Sequence, residues 1–597
     1  MRLRPPGSLT EPQKTRFSAL AWLASLSLLT LSACATTGPV AHQQTQATRA
    51  SAPMDPGSAY GLFLAGQAAA HQGHGDAASD YFGRAAASDI DADGRFLNAR
   101  AFTAALFAGD VRQAAALAPI DPAVDPGLRR FSALVRGVEA LAEGQGKRAQ
   151  ALLTGPDADQ AHEAASALLA PLAAAAAGDA NGSIAHPIIA DSPVSQFFAN
   201  LDQGEMFERA RRYDEAETAY RALIAKGDPG GLASLKLGEM LERRGRGAEA
   251  VAIYDGGLRL DSDSSDLKAA RERAAAHKAP PHPPTINEDA AAALMAPASQ
   301  LAAQKQGEAA LAYLRLALRL DPQRDEAWEM VGDILQDTND IDGARAAFAA
   351  VRPSADQYAT ARDKLAWSYQ KAGDKDAALK IARETYATAP NDPSVAVTLA
   401  DLLRAGEHYD ESAHILDGII ATMGDQGDWR LLYMRAVDFE ETNRWPDAER
   451  DLQTALKRQP DEPELLNFLG YSWIDRGEHV KEGLSMVQKA VDLQPDSGAM
   501  IDSLGWGYYR LGDFVKAVEK LENAVELEPS DPDVNNHLGD AYWRVGRKIE
   551  AQYQWRRVLT LEPSPKLKTE IEDKLKNGVI SAAAPAAIAA QSAPTVQ

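Results

Sequence analysis

Cys34 is the one cysteine in a chain of 597 residues, and a thiol is the side chain best equipped here for covalent chemistry. One cysteine forms no intramolecular disulfide and builds no cysteine-based zinc site. The eleven histidines are scattered, with no His-x-x-x-His pair beside a carboxylate. His71 and His74 in "HQGHGD" could hold a metal, but the glycines around them read as a loop between helices. No GxxxxGK[ST] loop, GxSxG elbow or GxGxxG turn after a strand occurs. The 84 acidic residues stand at helix-surface spacings, which is the pattern of a solvated face. No catalytic residue, metal site or cofactor is expected.

The residues before Cys34 give it a different use. Arg2, Arg4, Lys14 and Arg16 precede an apolar run from Phe17 to Leu31, and small residues follow. That is the order of a secretory signal: basic region, apolar core, cleavage zone. The run is short of the roughly twenty residues that span a bilayer. Leu31-Ser32-Ala33-Cys34 resembles the bacterial lipobox. The resemblance implies a signal over residues 1–33, acylation of Cys34, and, with Ala35 next, sorting to the periplasmic face of an outer membrane. One myristoyl chain anchors only marginally, at about 0.8 kcal/mol per buried CH₂, so stable attachment needs several chains. Residues 34–58 have no apolar periodicity and are rich in Ala, Thr, Gln, Ser and Pro. They read as a disordered tether whose ends lie about 25–30 Å apart.

Beyond the tether, 45% apolar and 24% charged residues suffice for a buried core throughout. The formal net charge of −22 argues against nucleic-acid binding, which needs Lys and Arg to neutralise phosphate. The pattern is helical, and it repeats. Gly505 and Gly539 are 34 residues apart, as are Gly512 and Gly546, Ala517 and Ala551, and Pro529 and Pro563. This pattern resembles the tetratricopeptide repeat (TPR), which implies an all-α fold, a superhelix of two-helix units (an α-solenoid). The small residue at 505 or 539 lets two helices cross closely. Gly512 ends the first helix in a left-handed turn, and the proline stops the second.

Followed upstream, the register marks eight units over residues 290–565, one of them, around Leu469-Gly470, a residue longer. A capping helix is expected at 566–577 and a disordered tail at 578–597. Gly204, Tyr213, Ala216 and Tyr220, then Gly238, Gly245, Ala250 and Tyr254, mark two units in 191–276. Residues 59–190 read as Ala-rich, degenerate TPR-like helices. Between the blocks, 277–289 carries "HKAPPHPPTINED", whose prolines imply a stiff connector.

A repeat array works through its surface. In this register the first helices of the last units present Asn467 and Tyr471, then Asp502, Trp506, Tyr509 and Arg510, then Asn536, Asp540, Trp543 and Arg544. Aromatic and Arg side chains suit a binding groove, although the tryptophans could equally pack against a neighbouring unit. Eight of the nine tryptophans fall in 328–555, which points to the C-terminal block as the partner-binding half. Signal, lipobox and repeats together resemble the outer-membrane TPR lipoproteins of proteobacteria. "LGYSWIDRGEHVKEG" and "DSLGWGYYRLG" look like those adaptors that bring cell-wall hydrolases to a periplasmic carboxyl-terminal processing protease. The resemblance implies a non-enzymatic scaffold whose partners are envelope proteins and the bilayer. The alternatives are an assembly or export-machinery lipoprotein, pilotin-like, and a lytic cell-wall enzyme with an α-superhelical arm.

Overall fold

The computed structural model describes residues 58–579, apart from 72–74, 89–91, 157, 159–163, 186–192 and 425–427. Cys34, the signal, the tether to residue 57, His74 and the tail from residue 580 lie outside the described residues. Among the described residues all regular structure is helical, and it forms two compact units that divide between Ala389 and Pro390.

The first unit begins with α1 (Ala59–His71), α2 (Gly75–Ser88), α3 (Ala92–Ala108), α4 (Val111–Leu117), α5 (Pro126–Ala142) and α6 (Gly146–Leu153). It continues with α7 (Ala164–Ala177), α8 (Ala180–Ser183), α9 (Pro193–Arg209), α10 (Tyr213–Lys226), α11 (Leu232–Arg243), α12 (Gly247–Leu258) and α13 (Ser265–Ala275). After the proline segment come α14 (Ile286–Ala303), α15 (Gly307–Leu320), α16 (Asp325–Asp337), α17 (Ile341–Ala350), α18 (Tyr358–Lys371) and α19 (Lys375–Thr388). The second unit holds α20 (Pro393–Ala405), α21 (Tyr409–Met423), α22 (Trp429–Glu441), α23 (Trp445–Arg458), α24 (Pro463–Arg476) and α25 (Val480–Leu493). Its last helices are α26 (Gly498–Arg510), α27 (Phe514–Leu527), α28 (Pro532–Arg544), α29 (Lys548–Val558) and α30 (Pro565–Asn577). Helices pair in sequence as hairpins; α13 and α30 stand single.

One contact recurs across the hairpins. A small residue on the first helix receives a large side chain sixteen positions on, as in Gly238 and Tyr254, Gly332 and Phe348, Gly505 and Leu521, and Gly539 and Trp555. A methyl group on Gly238 would lie 2.1 Å from Tyr254 Cε1, and one on Gly539 would lie 2.5 Å from Trp555 Nε1. Where alanine takes the small position, as in Ala298, Ala400 and Ala436, the receiving side chains Leu314, Leu416 and Leu452 are fully buried. A fully buried side chain of this size contributes about 1.5–3 kcal/mol.

A second constraint sits seven residues past the small position. There φ is positive: 82° at Gly512 and 89° at Gly546, as the sequence implies, but also 60° at Lys305, 65° at Asn339, 63° at Glu407 and 57° at Asn443. The turn geometry is imposed even where an L side chain must bear the strain. The longer unit absorbs its extra residue in the same turn, with Gly477 at φ 74° and His479 at φ 43°.

The proline segment does not hold two blocks apart; one compact unit runs across it. Arg243 donates to the Pro281 carbonyl (3.4 Å), and Arg209 to the Pro284 carbonyl (2.6 Å) and to Asp289 (2.7 Å). Thr285 then opens α14 with a capping box to Glu288. The α14–α15 hairpin packs back on the N-terminal helices. Tyr313 meets Phe131 edge-on at 6.0 Å, and Arg315 donates to the Phe107 carbonyl at 3.0 Å. Arg319 bonds both oxygens of Glu139, at 2.7 and 2.9 Å. A continuous apolar core, from Phe102 to Leu365, includes both sides of the connector. Helices α10–α13 keep a core of their own around Tyr220 and Tyr254.

Gly238→Ala is expected to cost the first unit about 1–3 kcal/mol, because Tyr254 must leave its slot and its 2.6 Å bond to Glu242. Gly247→Ala in the same hairpin, where no atom lies within 4 Å, should be neutral or gain up to about 1 kcal/mol. Urea midpoints of the two variants test the contrast, and equal shifts would remove the packing argument.

Candidate partner-binding surface

From α24 onward the first helices of the second unit place polar residues at a shared register. On α24, Glu464, Asn467, Tyr471 and Asp475 follow one another at three- and four-residue steps, while Leu465, Leu466, Phe468 and Leu469 are buried. The equivalent positions are Tyr433 on α22, Asp502 and Trp506 on α26, and Asn536 and Asp540 on α28.

Towards the C-terminus this face is occupied by the chain itself. Asp502 is fully buried and its two oxygens lie 2.9 and 3.0 Å from His537 Nδ1. Burial pushes the imidazole down, but Asp502, aided by Asp533 and Asp540, outweighs it and the net shift is upward. Lys574, reaching in from α30, donates to Asn536 Oδ1 and to Asp540 Oδ2, both at 2.8 Å. Asp540 also accepts from Trp555 Nε1 at 3.1 Å. Burial raises the Asp540 carboxyl although Lys574 opposes it.

The aromatic candidates are engaged as well. Trp506 stacks on His537 on one side (centroids 4.3 Å apart, 20°) and on Tyr509 on the other (4.7 Å, 9°). Its Nε1 donates to Asp475 (3.2 Å), and Arg510 donates to the Asp475 carbonyl (2.7 Å). Tyr509 meets Phe514 edge-on at 5.4 Å, and burial, with Asp540, pushes its phenol up to about 12. Arg544 lies over Phe514, 4.3 Å from the ring centre, and is exposed to solvent. Trp543 has Lys548 Nζ at 3.6 Å, and a methyl on Gly578 would fall 2.0 Å from its ring. Trp506 and Trp543 therefore pack within the array. Trp555 is fully buried, as expected for a packing residue.

The N-terminal part of the face is different. Asn467 is 7% exposed and Tyr433 6% exposed, yet neither polar end has a hydrogen-bond partner among the described residues. The closed-off Asn467 Oδ1 costs about 1–3 kcal/mol. Tyr471 is half-buried with an equally unpaired hydroxyl. Burial raises its phenol, and Asp475, Asp502 and Asp533 raise it further. The half-buried Glu464 has no ion pair; Arg430, which pulls its carboxyl pKa down, is bonded to Asp428. Burial and Glu462 nevertheless leave Glu464 raised.

Sequence reasoning placed Asn467 and Tyr471 on this face but missed Tyr433 and Glu464. Both follow from the register, since Tyr433 precedes Asn467 by 34 residues and Glu464 precedes it by three. No group of three metal-ligating side chains that could hold an ion is found among the described residues.

Models of the tetratricopeptide repeat match residues 201–265, 433–498 and 360–392, and one described as a TPR repeat matches 507–546. No curated protein matches the chain. Among solved structures it is similar to a tetratricopeptide repeat protein from Parabacteroides merdae, at 12% identity over 42% of this chain and 99% of that one, with a TM-score of 0.38. It is similar to Cut9–Hcn1 of the APC/C hetero-tetramer, at 15% identity over 82% and 97%, with a TM-score of 0.36. YrrB, a TPR protein with an unusual peptide-binding site, aligns at 16% identity over 32% and 97%, with a TM-score of 0.25.

The raised His537 has a measurable consequence. A group whose folded pKa lies above its unfolded value stabilises the fold fully below about pH 6.5 and loses that contribution as pH rises through the folded pKa. Melting of the unit from residue 390 should therefore fall between pH 6.5 and 9 more steeply in the wild type than in His537→Gln. Parallel pH profiles would remove the ion pair from the account.

Proposed function

From an array of tetratricopeptide hairpins, we infer a protein-interaction scaffold, non-enzymatic and held at the periplasmic face of an outer membrane by acylated Cys34. The observation that carries the anchored reading is the order of the first 34 residues: basic start, short apolar run, then Leu31-Ser32-Ala33-Cys34. The repeats supply surface instead of reactive groups. The matched models are of the tetratricopeptide repeat.

The finer reading is an adaptor that holds a carboxyl-terminal processing protease and cell-wall hydrolases together. It is supported by the likeness of residues 469–483 and 502–512 to that lipoprotein group. Such an adaptor works by proximity: two proteins bound to one scaffold meet at an effective concentration of about millimolar. No chemical step by the scaffold is required.

Cells fed radiolabelled palmitate should label the wild-type chain and not Cys34→Ser, and the substituted chain should move from the membrane to the soluble fraction. Label on both chains, or on neither, would end the anchored reading. Pull-down from envelope extract should enrich a processing protease or a wall hydrolase; recovery of neither, with both expressed, would end the adaptor reading.

A further inference from the structure

We infer that the face made by Tyr433, Glu464, Asn467 and Tyr471 receives a lysine or arginine side chain, with the peptide amide beside it, from an extended segment of a partner. This rests on the scaffold reading and names the chemistry its groove selects.

The strongest support lies within the chain. Asn467, Asp502 and Asn536 hold one register position in three successive repeats, at 467, 502 and 536. At the second, Asp502 is met by the His537 imidazole at 2.9 Å. At the third, Asn536 and Asp540 are met by the Lys574 ammonium at 2.8 Å. In both, a nitrogen base or cation carried by the following helix fills the place. At the first, nothing arrives: Arg510, the nearest cation on the following helix in this register, is spent on Asp475. At two of the three register positions a base or cation from a later helix meets the polar group, and at Asn467 none does.

The side chains around Asn467 fit the same occupant. Glu464 is a half-buried carboxylate with no ion pair, one turn before Asn467. A cation approaching it meets an opposite charge in a partly desolvated place, where attraction is stronger than at an open surface. Asn467 offers one acceptor and two donors, which match the N–H and C=O of a peptide group. Its Nδ2 has no partner and, unlike Oδ1, is not closed off from solvent, so it can donate to a peptide carbonyl there. The Tyr433 and Tyr471 hydroxyls add two more unpaired positions on the same face. An anionic ligand would face Glu464 and the carboxylates around Tyr471, Asp475 and Asp502, and is disfavoured.

Saturation-transfer NMR tests this on the full chain. The probes are acetylated, amidated pentapeptides, Ala-Ala-X-Ala-Ala, with X as Lys, Arg, norleucine or Glu. Lys and Arg peptides should bind about fivefold more tightly than norleucine, and Glu more weakly still. Glu464→Gln should bring Lys and Arg to the norleucine level. Asn467→Leu should abolish binding of every peptide, while Asn467→Asp, which copies Asp502, should keep it and strengthen the Lys preference. Binding blind to X, no binding by any peptide, or binding unchanged in Asn467→Leu overturns the inference. Thermal melts show whether a variant is folded, and the Asp variant decides the case if the Leu variant is not. The envelope pull-down stands apart: partners captured equally by wild type and Asn467→Leu would leave the scaffold standing and remove this site.

Discussion

The closest approach of two helices within each hairpin sets the terms for everything else. A residue with little or no side chain must face a large one sixteen positions later, and the chain between them must turn through a left-handed residue seven positions after the first. Gly238 with Tyr254 and Gly539 with Trp555 show how little room remains: the added methyl would stand 2.1 and 2.5 Å from the facing ring. Once that distance is fixed, the first helix has one face against its partner, another against the next hairpin, and one left over. The leftover face is the one that carries Glu464, Asn467 and Tyr471.

The same logic explains the connector. A hairpin cannot bury both apolar sides alone, and α14–α15 carries leucines and alanines on most of its surface. It solves this by packing on helices more than a hundred residues earlier, with Arg319 on Glu139 and Tyr313 on Phe131 fixing the alignment. Glu139 is 6% exposed, so its charge is tolerable there only with the guanidinium in place.

Much of this was legible in the residues. The 34-residue spacing points to eight hairpins after residue 290 and a capping helix, and the structure has eight helix pairs from α14 to α29, then α30. Left-handed turns were legible at Gly512 and Gly546 but not at Lys305, Glu407 or Asn443, where the backbone is imposed by packing and the residue type carries no sign of it. The return of α14–α15 was invisible because prolines report local stiffness and say nothing of where an apolar face finds cover. The ten groove candidates rest on register alone. Register tells which way a side chain points, but not that His537 would cross to Asp502 or Lys574 to Asp540, since those partners come from the next repeat.

Trp506 lies between an imidazole and a phenol, and Trp543 between an ammonium and the chain at Gly578. Indole emission from this end of the molecule is thus governed by its own neighbours, the His537 imidazole among them, and such light reports how one hairpin sits on the next.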